Sequence, residues 1–148
     1  MKIIIDTNII FSTLLNTNSI IGDLIFNSHK TFQFYSCKYM LTEIEHHWNK
    51  LKRLSKLSEE QLNLARINTV SKIIFINEEL IPKETWLVSE KITQDIDIDD
   101  TDFVALTKHI KGYLWTGDKE LYNGLKTKNF HRVLNTRELL DLRDKKEI

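Results

Sequence analysis

The sequence predicts an α/β fold: a three-layer α/β/α sandwich around a mostly parallel central sheet of four to five strands. Three observations predict it. Short apolar runs alternate with helix-period segments along the chain, the pattern of strands joined by helical crossovers. Two of those runs, Lys2–Ile5 and Tyr113–Thr116, stop at polar turns that carry an acid, as strands do where a sheet presents its carboxyl end to a ligand. The 148 residues are 41% hydrophobic and 28% charged, a mix that suits one domain with a real core, so residues 1–148 are expected to fold as a single unit.

Lys2–Ile5 reads as a buried strand with Asp6 at its tip. Asn8–Leu15 and Ile20–Phe26 read as helices, with Thr17, Asn18 and Ser19 as the break and cap between them. Thr31–Ser36 places Phe32, Phe34 and Tyr35 among polar residues and predicts a second strand. From Tyr39 to Leu54 the apolar residues Met40, Leu41, Ile44, Trp48, Leu51 and Leu54 recur at three- and four-residue spacing. That spacing predicts one long helix with a single buried face, and Glu43 lies close to it.

Ser58-Glu59-Glu60-Gln61 has the capping-box pattern and starts a helix that runs to about Ser71. Ile73–Ile76 is a third strand, and Pro82 suits the first turn of a helix over Glu84–Lys91. After the acidic segment Asp95–Asp102, a helix over Phe103–Ile110 is expected to close at Gly112. Tyr113–Thr116 is the fourth strand, Gly117-Asp118 the turn after it, and Lys119–Lys126 the next helix. Arg132–Asn135 is a weak last strand, and Thr136 is placed to cap a terminal helix through Leu139 and Leu142.

Bulk charge carries no functional signal, because Lys plus Arg and Asp plus Glu each total 21. The N-terminal apolar run is interrupted at Asp6-Thr7-Asn8, where a signal peptide needs continuity, and no stretch reaches the roughly 20 apolar residues of a membrane span. A cytoplasmic protein without membrane association is expected. The lone Cys37 excludes an internal disulfide and reads as a small buried residue.

Asp6 and Asp118 stand at strand carboxyl ends, where a carboxylate on a rigid element can face a hard divalent cation. Asp100 stands at the start of a helix, where the positive end of the dipole tolerates negative charge. Each feature also has an ordinary explanation: Asp6 as a turn residue, Asp118 as a helix cap, Glu43 as a surface residue of an amphipathic helix. Asp95, Asp97, Asp99, Asp100 and Asp102 offer competing registers for a third acid. The same run fails as a calcium loop, because Asp100 and Leu106 stand where that loop needs Gly and Glu. His46 and His47 are adjacent rather than four apart, so they do not form a helical zinc site.

Taken together, Asp6-Thr7-Asn8, Glu43, and DTDFVALTKHIKGYLWTGD from Asp100 to Asp118 make the chain resemble the PIN-domain family over essentially its whole length. The resemblance implies a ribonuclease in which Asp6, Glu43, Asp100 and Asp118 bind Mg²⁺ or Mn²⁺, with Asp102 as the second choice for the third acid. It also implies that Asn8 and Thr116 hydrogen-bond around the acids. RNA would be held by local basic patches: Lys50 and Arg53 with His46, His47 and Lys52, and Lys119 and Lys126 with Lys128 and Arg132. Trp115 is expected in the core rather than stacked on a base.

Among family members of this size the resemblance is closest to toxins of the VapC type, which an antitoxin partner inhibits. Family members often pair, and the resemblance leaves the oligomeric state open, with Ile20, Ile21 and Ile25 as the apolar candidates for a homodimer contact. Two other functions compete: a PIN-fold RNA-binding or interaction module without catalysis, and a haloacid-dehalogenase-type phosphohydrolase. The latter requires an Asp where Asn8 stands.

Overall fold

Ile3, Ile4 and Ile5 of β1 (Lys2–Ile5) are completely buried, because β1 lies in the middle of a sheet covered on both faces. In the computed structural model, which describes residues 1–147, five strands run in the order β3-β2-β1-β4-β5 and every pairing is parallel. The other strands are β2 (Gln33–Cys37), β3 (Ile73–Ile76), β4 (Tyr113–Trp115) and β5 (Val133–Leu134). The chain adds strands outward from β1 to β3, then crosses back to place β4 on the other side of β1. The carboxyl ends of β1 and β4 therefore flank the point where strand order reverses, which is where open α/β sheets bind ligands.

The helices are α1 (Thr7–Leu15), α2 (Ile20–Asn27), α3 (Met40–His46), α4 (Trp48–Leu54), α5 (Glu59–Ser71), α6 (Lys83–Thr93), α7 (Thr101–Ile110), α8 (Lys119–Thr127) and α9 (Thr136–Glu147). Helix α7 packs on β1, β2 and β4 with α6 against it, while α1 packs with α2, α3, α4 and α5. Parallel strands with helical crossovers give the predicted three layers. Among the described residues no single helix is long and apolar enough to cross a membrane.

Several elements differ from the sequence reading, each for a local reason. The long helix expected over Tyr39–Leu54 breaks at His47, whose backbone leaves helical geometry at φ −98° and ψ 10°. The break re-aims α4 onto α1, where the His47 ring meets Phe11 edge to face at 5.4 Å. Helix α7 closes through Lys111 in the left-handed region (φ 57°), not through Gly112. Gly112 is needed for a different reason: a Cβ there would lie 2.5 Å from Ile4 and 2.8 Å from the Lys2 carbonyl oxygen.

Thr136 is not the cap of α9. Asn135 and Glu138 cap it reciprocally, and the Thr136 hydroxyl instead accepts a hydrogen bond of 3.1 Å from the Trp115 indole. That bond satisfies the one polar atom of a fully buried Trp115, which lies in the core as expected. Ile25 is only 1% exposed and belongs to the core, so of the apolar residues expected at a dimer contact Ile20, at 57%, is the exposed one.

Candidate functional site

Asp6 leaves β1 at the switch point and immediately caps α1, its Oδ1 accepting from the Ile9 amide at 3.0 Å. Its Oδ2 accepts from the Thr116 hydroxyl at 2.9 Å. Thr116, one residue past β4, uses the same hydroxyl oxygen to accept from the Asp118 amide at 3.1 Å. Asp118 in turn caps α8, its Oδ1 accepting from the Glu120 and Leu121 amides at 2.9 and 3.2 Å. One buried hydroxyl thus ties two helix tips together across 110 residues of chain. The ordinary role of a helix cap and a place in an acidic site coexist in Asp118, because capping occupies one oxygen and leaves the other.

Burial dominates the electrostatics of Asp6, which is 3% exposed. It pushes the carboxyl up to about 6, against the bonds from Ile9 and Thr116, and the charge of Asp118 adds to the rise. Asp100 is pushed up to about 7, by burial first and then by the charges of Asp6, Asp97 and Asp118. Asp6, Asp100 and Asp118 therefore share one electrostatic neighbourhood.

Asp102 faces elsewhere. Its carboxyl is raised by burial and by Glu78, while the Tyr39 hydroxyl pulls it down. Asp102 lines a cavity of about 380 Å³ with Thr7, Tyr39, Glu43, Ile98 and Asp99. Glu43 thus lines the same cavity as Asp102 and pairs with His47 at 3.5 Å. Among the described residues no three His, Cys, Asp or Glu side chains are close enough, as placed, to surround a cation.

The remaining predicted residues divide by position. Asn8 makes no side-chain hydrogen bond to Asp6 and lines a groove between α1 and α4. Lys50 lines that groove too, and Arg53 is exposed on the same helix. Lys119 borders a cavity of about 260 Å³ beside Gly117 and Asp118. Lys126 is held on the Tyr122 hydroxyl at 2.6 Å, and Lys128 pairs with Asp95 at the same distance. Arg132 lies at the opposite end of the sheet, donating to the Lys111 and Gly112 carbonyls. The thiol of Cys37 is buried and raised by that burial, so it is an inert packing group.

Sequence reasoning missed Tyr39, Tyr122 and Arg137. Tyr39 precedes Glu43 by one helical turn, a spacing that puts both on one face. Tyr122 and Arg137 border the Asp118 cavity, and Arg137 follows a strand end, the signal that found Asp6.

A model of the PIN domain matches residues 4–138. No curated protein matches the chain. Among solved structures, a chain of VapBC2 from Rickettsia felis, crystallised bound to a DNA fragment from their promoter, is similar at a TM-score of 0.67 and 15% identity. The likeness covers 91% of this chain and 98% of that one, and at such identity it bears on the fold alone.

Proposed function

The chain belongs to the PIN-domain family, and from that premise we propose that it is a divalent-metal-dependent endoribonuclease acting through Asp6, Asp100 and Asp118, with Glu43 completing the acidic set. One observation carries the proposal. At the switch point of the sheet, the Asp6 and Asp118 segments are tied through Thr116, and the charges of both raise Asp100.

These residues suit Mg²⁺ or Mn²⁺ by chemistry: the donors are all carboxylate oxygens, and burial together with neighbouring acids raises Asp6 and Asp100, a cost that a cation would offset. Because no three of them surround a point as placed, binding would have to draw the side chains together. A bound cation would supply activation of water and neutralisation of charge on the scissile phosphate. The chain's own residues do the positioning. Ile9 and Thr116 fix both oxygens of Asp6, the Glu120 and Leu121 amides fix Asp118, and His47 pairs with Glu43. Lys50 and Arg53 on one side and Lys119 on the other hold RNA phosphates, giving salt-sensitive binding of low sequence selectivity.

The fold likeness to a chain of VapBC2 supports a toxin of the VapC type, cytoplasmic, formed of one PIN-like domain over residues 1–148 and restrained by an antitoxin. Co-purification with a tightly bound small protein tests the antitoxin. Cleavage of single-stranded RNA by the purified chain, dependent on Mg²⁺ or Mn²⁺ and abolished by Asp6→Asn and Asp118→Asn in folded protein, tests the nuclease. Metal-independent RNA binding without cleavage would favour the non-catalytic module.

A further inference from the structure

Beside the acids, α1 and α4 bound a groove of about 420 Å³ whose lining includes Asn8, Phe11, His47, Lys50, Leu51 and Leu54. Its mouth opens at the candidate site. Asn8 follows Asp6 by two residues in the first turn of α1, and His47 pairs with Glu43 at 3.5 Å. No carboxylate lines the groove, whereas the cavity beyond Glu43 is lined by Glu43, Asp99 and Asp102. Among the described residues Lys50 pairs with no acid, while Lys52 on the same helix reaches Glu59 at 3.6 Å.

We propose that this groove is a subsite for one nucleoside of single-stranded RNA, next to the phosphate that is cut. The base lies against Phe11, His47 and the leucines, the backbone phosphate meets Lys50, and the Asn8 amide reads a base edge. A polyanion leaving an acid cluster runs most favourably along the side free of carboxylates. An apolar, aromatic groove with a few polar groups at its mouth suits an unstacked base, which a duplex does not offer. Phe11 and His47 are braced edge to face at 5.4 Å, and Leu54, 59% exposed, lines the groove from the last turn of α4.

The inference rests on the nuclease reading, so the test must separate the two. A short oligoribonucleotide carrying 5-iodouridine is crosslinked by ultraviolet light to the wild-type chain in EDTA, and the modified peptides are mapped by mass spectrometry. Affinity and Mg²⁺- or Mn²⁺-dependent cleavage of a mixed-sequence strand are then measured for wild type, Leu54→Asp and Lys50→Ala. Leu54 is exposed, so its substitution blocks the groove without disturbing the core.

Crosslinks on Phe11 or His47 are expected, with roughly tenfold weaker binding in each variant and a flattened preference for the nucleotide beside the cut. If wild type cleaves but crosslinks fall only elsewhere and Leu54→Asp binds RNA normally, the groove belongs to a protein segment and the inference fails while the nuclease reading stands. If wild type neither binds nor cleaves RNA, both fail together.

Discussion

The two halves of the acidic site are built differently. On one side Asp6, Thr116 and Asp118 sit at strand ends and helix tips, Asp6 and Thr116 are almost fully buried, and every bond among them is 2.9 to 3.2 Å long. On the other side Glu43 stands on a short helix next to the His47 break, and Asp102 stands in the first turn of α7, around an open cavity with Tyr39. The first half is fixed by backbone amides that cannot move without unwinding a helix. The second is held by side chains alone, including a Glu43–His47 pair in which both partners are over a third exposed. Both halves are acidic and only one is rigid: the strand-end half sets the position of charge, and the helix-borne half can adjust to what binds.

The largest effect that would break this contrast is loss of a strand-end acid. Asp6→Asn or Asp118→Asn should lower RNA cleavage by about 10³-fold, the several kcal/mol expected when a catalytic metal is lost; gel-based rates with a circular dichroism control measure it. Cleavage retained in both variants would remove the strand-end half from the chemistry.

Next in size is Thr116→Val, which leaves an Asp6 oxygen and the Asp118 amide without their shared partner. A 10–100-fold loss of metal affinity or activity is expected, read by Mn²⁺ titration. Thr116→Ser should restore both bonds.

The third prediction concerns pH. Between 3.8 and about 6 the folded chain keeps a proton on Asp6 that the unfolded chain has released. Stability of the metal-free protein therefore falls as pH rises through that window, by roughly 3 kcal/mol at most from this residue. Thermal melts in EDTA should show the fall, and Asp6→Asn should flatten it. At neutral pH, Mg²⁺ or Mn²⁺ at 100 times its Kd should raise stability by about 2.7 kcal/mol. The smallest effect is expected from Tyr39→Phe, which removes the hydroxyl beside Asp102 and should change cleavage by only about tenfold or less.

This division also explains what could be read from sequence. Asp6 and Asp118 were legible because an apolar run that stops at an acid is a one-dimensional pattern with a fixed three-dimensional meaning. Thr116 and the parallel sheet followed from the same runs. Asp100 was ranked ahead of Asp102 by its family-like spacing to Asp118 alone; the local geometry behind that position, a 3₁₀ turn over Ile98–Asp100 that Asp97 caps, is announced by no periodicity. The break at His47 left no trace either, since apolar spacing continues through it and only packing against Phe11 marks the change of axis. Local substitutions of role, Asn135 for Thr136 as cap and Lys111 for Gly112 as the left-handed residue, were decided by tertiary contacts of Trp115 and Ile4.

The Thr116 hydroxyl carries a single hydrogen, and that fixes a direction. With its oxygen already receiving the Asp118 amide, its hydrogen is committed to Asp6, so the donors run one way, from the tip of α8 into the end of β1. Asp6 is the terminus of that wiring. The ionised carboxylate receives that bond at full strength and a cation leaves the direction intact, whereas a proton on Oδ2 weakens what it accepts from Thr116.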